Sequence, residues 1–208
     1  MNPLLRKDLI CLTPFIRLLY PVLTAMAVLL TFIGISYIAI AFLILSGPIL
    51  LLYTITWDRK AGWDTYALST PVLRDELITG KYQLFLLLVG GGTLLSLIPV
   101  LIDAFSTFIH FFPGPDAGII LLILIAASLL CGSFICLAAY AQKSGVVTLY
   151  LSNFLPYLTF AGIAVLYPSA APYRDILPQL STAALILAAL GTLAAWKITQ
   201  KTYTKKDV

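Results

Sequence analysis

The sequence predicts an all-α polytopic membrane protein: six transmembrane helices, with one cytoplasmic elbow between the second and the third. Composition is the first observation behind this. Of 208 residues, 61% are hydrophobic and only 11% are charged, with a mean hydropathy of +1.00, whereas a soluble domain carries about 25% charged residues. The second observation is the length of the apolar runs, and the third is the way the charges collect between them. Together they exclude a soluble domain and make residues 1–208 a single transmembrane domain.

A helix needs about 20 apolar residues to cross the hydrocarbon core. Six segments meet this: residues 15–35, 38–55, 84–102, 119–140, 146–167 and 177–196. The first two are separated by a few residues around Ser36, so they form a tight hairpin. Ahead of them, Asn2 can cap a helix that begins at Pro3. Leu5, Leu9 and Leu12 then share a face, with Lys7 and Asp8 placed elsewhere. Residues 1–13 therefore read as a short amphipathic helix on the inner membrane surface, or as a basic anchor for topology. The apolar stretch does not end at a small-residue cleavage site but runs on through two spans, so the N-terminus is expected to stay attached.

Orientation follows from Lys and Arg. With the N-terminus inside, Arg174 is the only one of the 13 basic residues placed outside. The positive-inside rule then puts both termini, the segment 57–81 and the basic tail 197–208 in the cytoplasm. The outer loop, DAFSTFIHFFPGPDAG over residues 103–118, lacks Lys and Arg and is rich in aromatics, as suits an interfacial belt.

The spans carry no ionisable residue at mid-depth; Arg17 lies near enough to the inner end to snorkel. A proton- or sodium-coupled carrier needs such groups for its ion, so that class is disfavoured. Neither H-E-x-x-H nor G-x-S-x-G occurs, and the single histidine, His110, sits in the outer loop. Cys11, Cys131 and Cys136 fit no metal or redox spacing and read as small packing residues. Pro21, Pro48, Pro99, Pro156 and Gly90-Gly91-Gly92 permit kinks and close approach. Ala184, Ala188, Gly191 and Ala195 form a small-residue stripe in the last span. The pattern is a packed bundle without internal chemistry.

One segment stands apart. WDTYALSTPVLRDELITGKY, from Trp63 to Tyr82, holds Asp64, Arg74, Asp75, Glu76 and Lys81, just after Asp58, Arg59 and Lys60. Gly62 breaks the chain. Trp63, Tyr66, Ala67 and Thr70 then recur at i, i+3, i+4 and i+7, which predicts a short amphipathic helix. Thr70 and Pro71 restart the chain as N-cap and first turn of a new helix, with Asp75 and Glu76 near its positive end. That helix continues through Lys81 and Tyr82 into the third span. Pattern alone leaves two uses for the elbow: an aromatic anchor for a partner, or a segment resting on lipid headgroups.

The RKDL sequence at residues 6–9, followed after the second span by this segment, resembles the small six-span permeases of type 2 ATP-binding cassette (ABC-2) exporters. In that family the stretch carries an acidic residue, Lys, Trp and Tyr, then Leu-Pro-Val-x-Arg and Lys-Tyr. Here Asp58, Lys60, Trp63, Tyr66, Pro71, Val72, Arg74, Lys81 and Tyr82 follow in order. Thr70 precedes the proline, and Leu73 stands where serine is common. The nearest likeness is to permeases linked to the export of amphipathic and antimicrobial peptides, or to resistance against them.

The resemblance implies a bacterial cell-membrane exporter subunit for a hydrophobic or amphipathic peptide, toxin or drug. It makes 57–81 a coupling helix in which Trp63, Tyr66, Ala67, Pro71, Val72, Arg74, Asp75 and Glu76 dock on a cytoplasmic ATPase. Asp58, Lys60, Lys81 and Tyr82 flank that helix. The chain has no G-x-x-x-x-G-K-[ST], so ATP and Mg would bind to the partner ATPase, present in two copies. The chain would hold no cofactor or metal, and it would not be an enzyme. A second permease copy or a paralogue completes the dimer, with contacts on the first and fifth spans. Membrane lipid surrounds it, and no nucleic acid is implied. The alternatives are a non-transporting sensor or assembly scaffold, and a membrane enzyme that the missing catalytic sets disfavour. Tyr20, Tyr37, Tyr53, Tyr150 and Tyr157 are compatible with an amphipathic substrate without selecting one.

Overall fold

The computed structural model describes residues 3–33, 36–63, 66, 73–108, 117–140 and 176–204. Their regular structure is helical: α1 (Pro3–Phe32), α2 (Ser36–Lys60), α3 (Arg74–Phe108), α4 (Ala117–Tyr140) and α5 (Leu177–Thr204). All five are long and apolar enough to cross a membrane. They coincide with five of the six expected spans; the expected span 146–167 lies outside the described residues, as does His110.

The stretch expected as a separate interfacial helix is continuous with the first span. α1 runs unbroken for 30 residues and contains Pro14 and Pro21. Leu5, Leu9 and Leu12 are held in the cluster formed by Tyr20, Leu50, Leu84 and Leu88, so the first turns pack on the bundle. The hairpin to α2 is as tight as expected. α2 is apolar on all sides, and it is the central helix, packed on α1, α3 and α4. A helix without a polar face is stable only when surrounded.

Helix crossings depend on missing side chains. A methyl at Gly92 would lie 2.6 Å from the Leu43 carbonyl oxygen, and one at Gly47 3.2 Å from Val89. These two glycines let α2 and α3 approach backbone to backbone. Gly132 on α4 accommodates the buried ring of Phe85 from α3 in the same way. Gly90 and Gly91 face open space. Of the stripe expected on the last span, Ala188 is buried and Gly191 and Ala195 are half-buried, whereas Ala184 is exposed; Ser181, Thr192 and Thr199 are buried with them.

Hydroxyls in the spans are satisfied locally, because serine and threonine in helices can return a proton to a carbonyl one turn back. Thr31 donates to Ala27 O, Thr54 to Leu51 O and Thr192 to Ala188 O. A few also tie helices together, as Ser133 Oγ does with Thr192 Oγ1 at 3.0 Å between α4 and α5. Tyr20 is buried beside Ser46, whereas Tyr53 faces outward with Phe15 and Trp57, their ring centroids 4.8 to 5.9 Å apart. These tyrosines do not line one common path. Cys131 and Cys136 are buried as packing residues, while Cys11 is exposed.

α1 to α4 alternate in direction. α4 and α5 run parallel, with Ser133 beside Thr192 and Tyr140 beside Tyr203. The glycine crossings give a direct test. Gly92→Ala should destabilise the detergent-solubilised protein by about 1–3 kcal/mol, the usual cost of overpacking. Gly90→Ala and Gly91→Ala, whose methyls meet open space inside a helix, should instead stabilise it by up to about 1 kcal/mol.

Candidate functional site

At one end of the bundle the start of α1, the end of α2, the start of α3 and the C-terminal ends of α4 and α5 come together. The α2–α3 connection leaves from this end, the elbow end.

The chain exits α2 by hydrogen-bond geometry. Ala61 N donates to Trp57 O at 2.9 Å and Gly62 N to Arg59 O at 3.1 Å. Gly62 has φ +65°, the left-handed conformation that ends helices and that glycine adopts without a Cβ penalty. The expected break is therefore at Gly62. Tyr66 N then donates to Gly62 O at 3.2 Å, opening a new turn on which the Trp63 and Tyr66 rings lie 5.4 Å apart. α3 begins at Arg74, where Leu73 O accepts from Glu76 N at 3.0 Å and Leu77 N at 3.3 Å. Asp75 and Glu76 occupy its first turn, as expected. Ala67, Pro71 and Val72 lie outside the described residues.

Four charged side chains close a ring inside this end. Lys81 Nζ is 2.7 Å from Asp8 Oδ2 and 2.5 Å from Asp58 Oδ2. Lys7 Nζ is 3.1 Å from Asp8 Oδ1 and 2.8 Å from Asp58 Oδ1. Each carboxylate thus bridges both ammoniums, and the charges alternate and cancel. Side-chain exposure is 4% for Lys81 and 5% for Asp8, against 15% for Asp58 and 25% for Lys7. Lys81 and Asp8 are the inner pair, and Lys7 is the outermost member. The Lys7 ammonium also lies 4.1 Å from the centroid of the Trp63 ring, within cation–π range.

A second layer joins the remaining helices. Tyr82 OH is 3.3 Å from Thr199 Oγ1, and its ring lies 6.4 Å from that of Trp196. Gln200 Nε2 donates to Thr79 Oγ1 at 3.0 Å, and the Arg59 guanidinium donates to Ala139 O. The neighbouring residues Lys81 and Tyr82 therefore tie α3 to α1 and α2 on one side and to α5 on the other.

Of the sequence-predicted residues, Asp58, Lys81 and Trp63 are brought together, while Tyr82 is buried beside them. Lys60, Asp75 and Glu76 are exposed, and Arg74 is half-buried. Trp63, expected as an exposed anchor, is half-buried under Lys7 and packed on the bundle. Among the described residues, Tyr66 and Leu73 are exposed large apolar side chains of the elbow, as is Trp57 at the end of α2. Asp8, expected off the leucine face, is buried within it. The missed signal is its spacing: Asp8 is three residues after Leu5 and four before Leu12, and an acid on an apolar face needs a buried cation.

The sequence model of the ABC-2 family transporter proteins matches residues 3–203. The chain belongs to the ABC-2 transporter family. No curated protein and no solved structure gives a match. The ABC-2 chain is a multi-pass membrane protein and a transport permease without an ATPase motif of its own, in a family that works with ABC ATPases.

Removing one partner of a buried ion pair strands the other charge. Lys81→Met leaves Asp8 and Asp58 sharing Lys7 alone and should cost about 3–5 kcal/mol, measured by unfolding in detergent. Adding Asp8→Asn to it should cost less than the sum of the single changes, whereas Lys60→Met should be neutral.

Proposed function

We propose that the ABC-2 permease exports a hydrophobic or amphipathic substrate from a bacterial cell, driven by two ATPase subunits that grip the α2–α3 elbow. The observation that supports this best is the construction of the elbow. It is a dense polar segment set between two spans of an apolar chain, and it presents Tyr66 and Leu73 outward beside Arg74. Aromatic and arginine side chains next to an apolar contact are the composition of an interface anchor. Behind them the charge ring joins the elbow to α1, α2 and α3, so displacement of the elbow reaches three helices together.

In this mechanism the ATPases bind ATP and Mg, close on each other and push the elbows. The bundle swings from inward-facing to outward-facing, and a second copy or a paralogue supplies the other half. The ring's charges cancel at the elbow end, and among the described residues the charged side chains beyond that end are Arg17, exposed on α1, and Asp103, buried near the far end of α3, which suits a substrate with little charge. A peptide, toxin or drug of amphipathic character fits that environment.

Six crossings with both termini in the cytoplasm are part of the proposal. Because α4 and α5 are parallel, their connection starts at the elbow end and finishes at the opposite end. A crossing by residues 146–167 meets that requirement. Single cysteines replacing Lys143 and Arg174, in a background lacking Cys11, test it with a membrane-impermeant maleimide. Residue 174 should label in intact cells and residue 143 only after permeabilisation; labelling from the same side would remove the sixth crossing.

Docking is tested by co-purification with the ATPase. Tyr66→Ala and Arg74→Glu should each weaken association by about 2 kcal/mol, roughly thirtyfold in Kd. Retention equal to wild type in both variants would count decisively against the elbow as the docking site.

A further inference from the structure

We propose that Lys7 is a positioning residue that latches the elbow to the start of α1, releasing and re-forming its ion pairs as the elbow moves. This rests on the docking reading above and adds the contact by which force leaves the elbow.

The argument begins with the asymmetry of the charge ring. If Lys7 withdraws, both carboxylates still hold Lys81, at 2.7 and 2.5 Å. If Lys81 withdraws, two carboxylates that are largely buried are left with the outermost cation. Breaking the inner pair carries the cost of an uncompensated buried charge, whereas Lys7, a quarter exposed, regains water when it leaves, so its withdrawal costs less. Lys7 is therefore the member that can leave without unmaking the site. Lys81 is the fixed pivot.

Lys7 is also the member with a partner outside the ring. Its ammonium faces Trp63, and Trp63 lies against Tyr66, which is exposed. A cation–π contact contributes about 0.5–2 kcal/mol depending on desolvation, the same scale as the ion pairs that Lys7 makes. One ammonium makes both kinds of contact at once, so Lys7 is the link through which a displacement of Trp63 reaches the ring. A partner that moves Tyr66 moves Trp63, and Trp63 draws Lys7 away from Asp58 and Asp8 or returns it. Because Lys7 and Asp8 are neighbours on α1, the first turn of α1 then changes its hold on α2. Trp63 and Lys7 face inward and transmit, while Tyr66 is exposed.

The test uses the full permease with its ATPase in vesicles of phosphatidylethanolamine and phosphatidylglycerol. ATPase retention, ATP hydrolysis and thermal unfolding are measured side by side. Lys7→Met should lower the melting temperature much less than Lys81→Met and keep the bound ATPase, while the permease-dependent hydrolysis falls at least about fivefold, the lower end of allosteric couplings. Trp63→Leu breaks the same contact with all four charges in place and should show the same loss. The double variant should be no worse than either single one, and Lys7→Arg, which preserves the charge and the stacking, should restore hydrolysis. Full hydrolysis by Lys7→Met would overturn the latch. So would loss of the ATPase in step with Tyr66→Ala, an additive double variant, or failure of Lys7→Arg. A wild-type complex that does not retain the ATPase would remove the docking reading and the latch together. One that retains it while Lys7→Met stays fully active removes the latch alone.

Discussion

Lys81 is the residue on which the elbow end depends. A lysine largely withdrawn from water at the start of a membrane-crossing helix is tolerated only if opposite charge meets it. Asp8 and Asp58 do so from two different helices. Those two contacts fix where α1 begins relative to α3 and where α2 stops. Everything else at this end is arranged around that position: the glycine exit at Gly62, the fold-back of Trp63 and the packing of Tyr82 against Trp196 and Thr199.

The rest of the bundle is held by a different kind of interaction. Lipid is as apolar as leucine, so burial alone gives little drive for one span to choose another. Close backbone contact at Gly47 and Gly92, the ring of Phe85 against Gly132, and the Ser133–Thr192 hydroxyl pair provide the choice. The two ends of the molecule therefore differ in chemistry. Electrostatics fixes the elbow end, and shape fixes the spans.

Much of this was legible in the sequence. Five spans are located by the sequence because an apolar run of that length has few other fates, although α1, α3 and α5 extend well past the expected bounds into polar sequence. The break at Gly62 and the acidic opening of α3 followed from local rules. The RKDL sequence and the elbow were noticed as family marks, yet nothing in either stretch says that Lys7 and Asp8 meet Lys81, because that meeting is tertiary. The half-burial of Trp63 is not legible for the same reason. An amphipathic pattern marks a face without saying whether bundle or partner covers it, and Lys7 covers Trp63 from 56 positions away in the chain. The hydroxyl line of α5 was hidden behind its alanines, since helical spacing admits several stripes and only the position of α4 selects one.

The ring has one further property, which concerns biogenesis. All four of its members lie within the first 81 residues. A chain made from its N-terminus completes that set before any residue of α4 or α5 has been synthesised. The charges most costly to leave unpaired near the bilayer can thus find one another within the earliest helices. The later helices then join a unit whose electrostatics are already closed: the contacts by which α5 joins α3 at this end are hydroxyl, amide and aromatic, and its Lys197 and Lys201 are exposed.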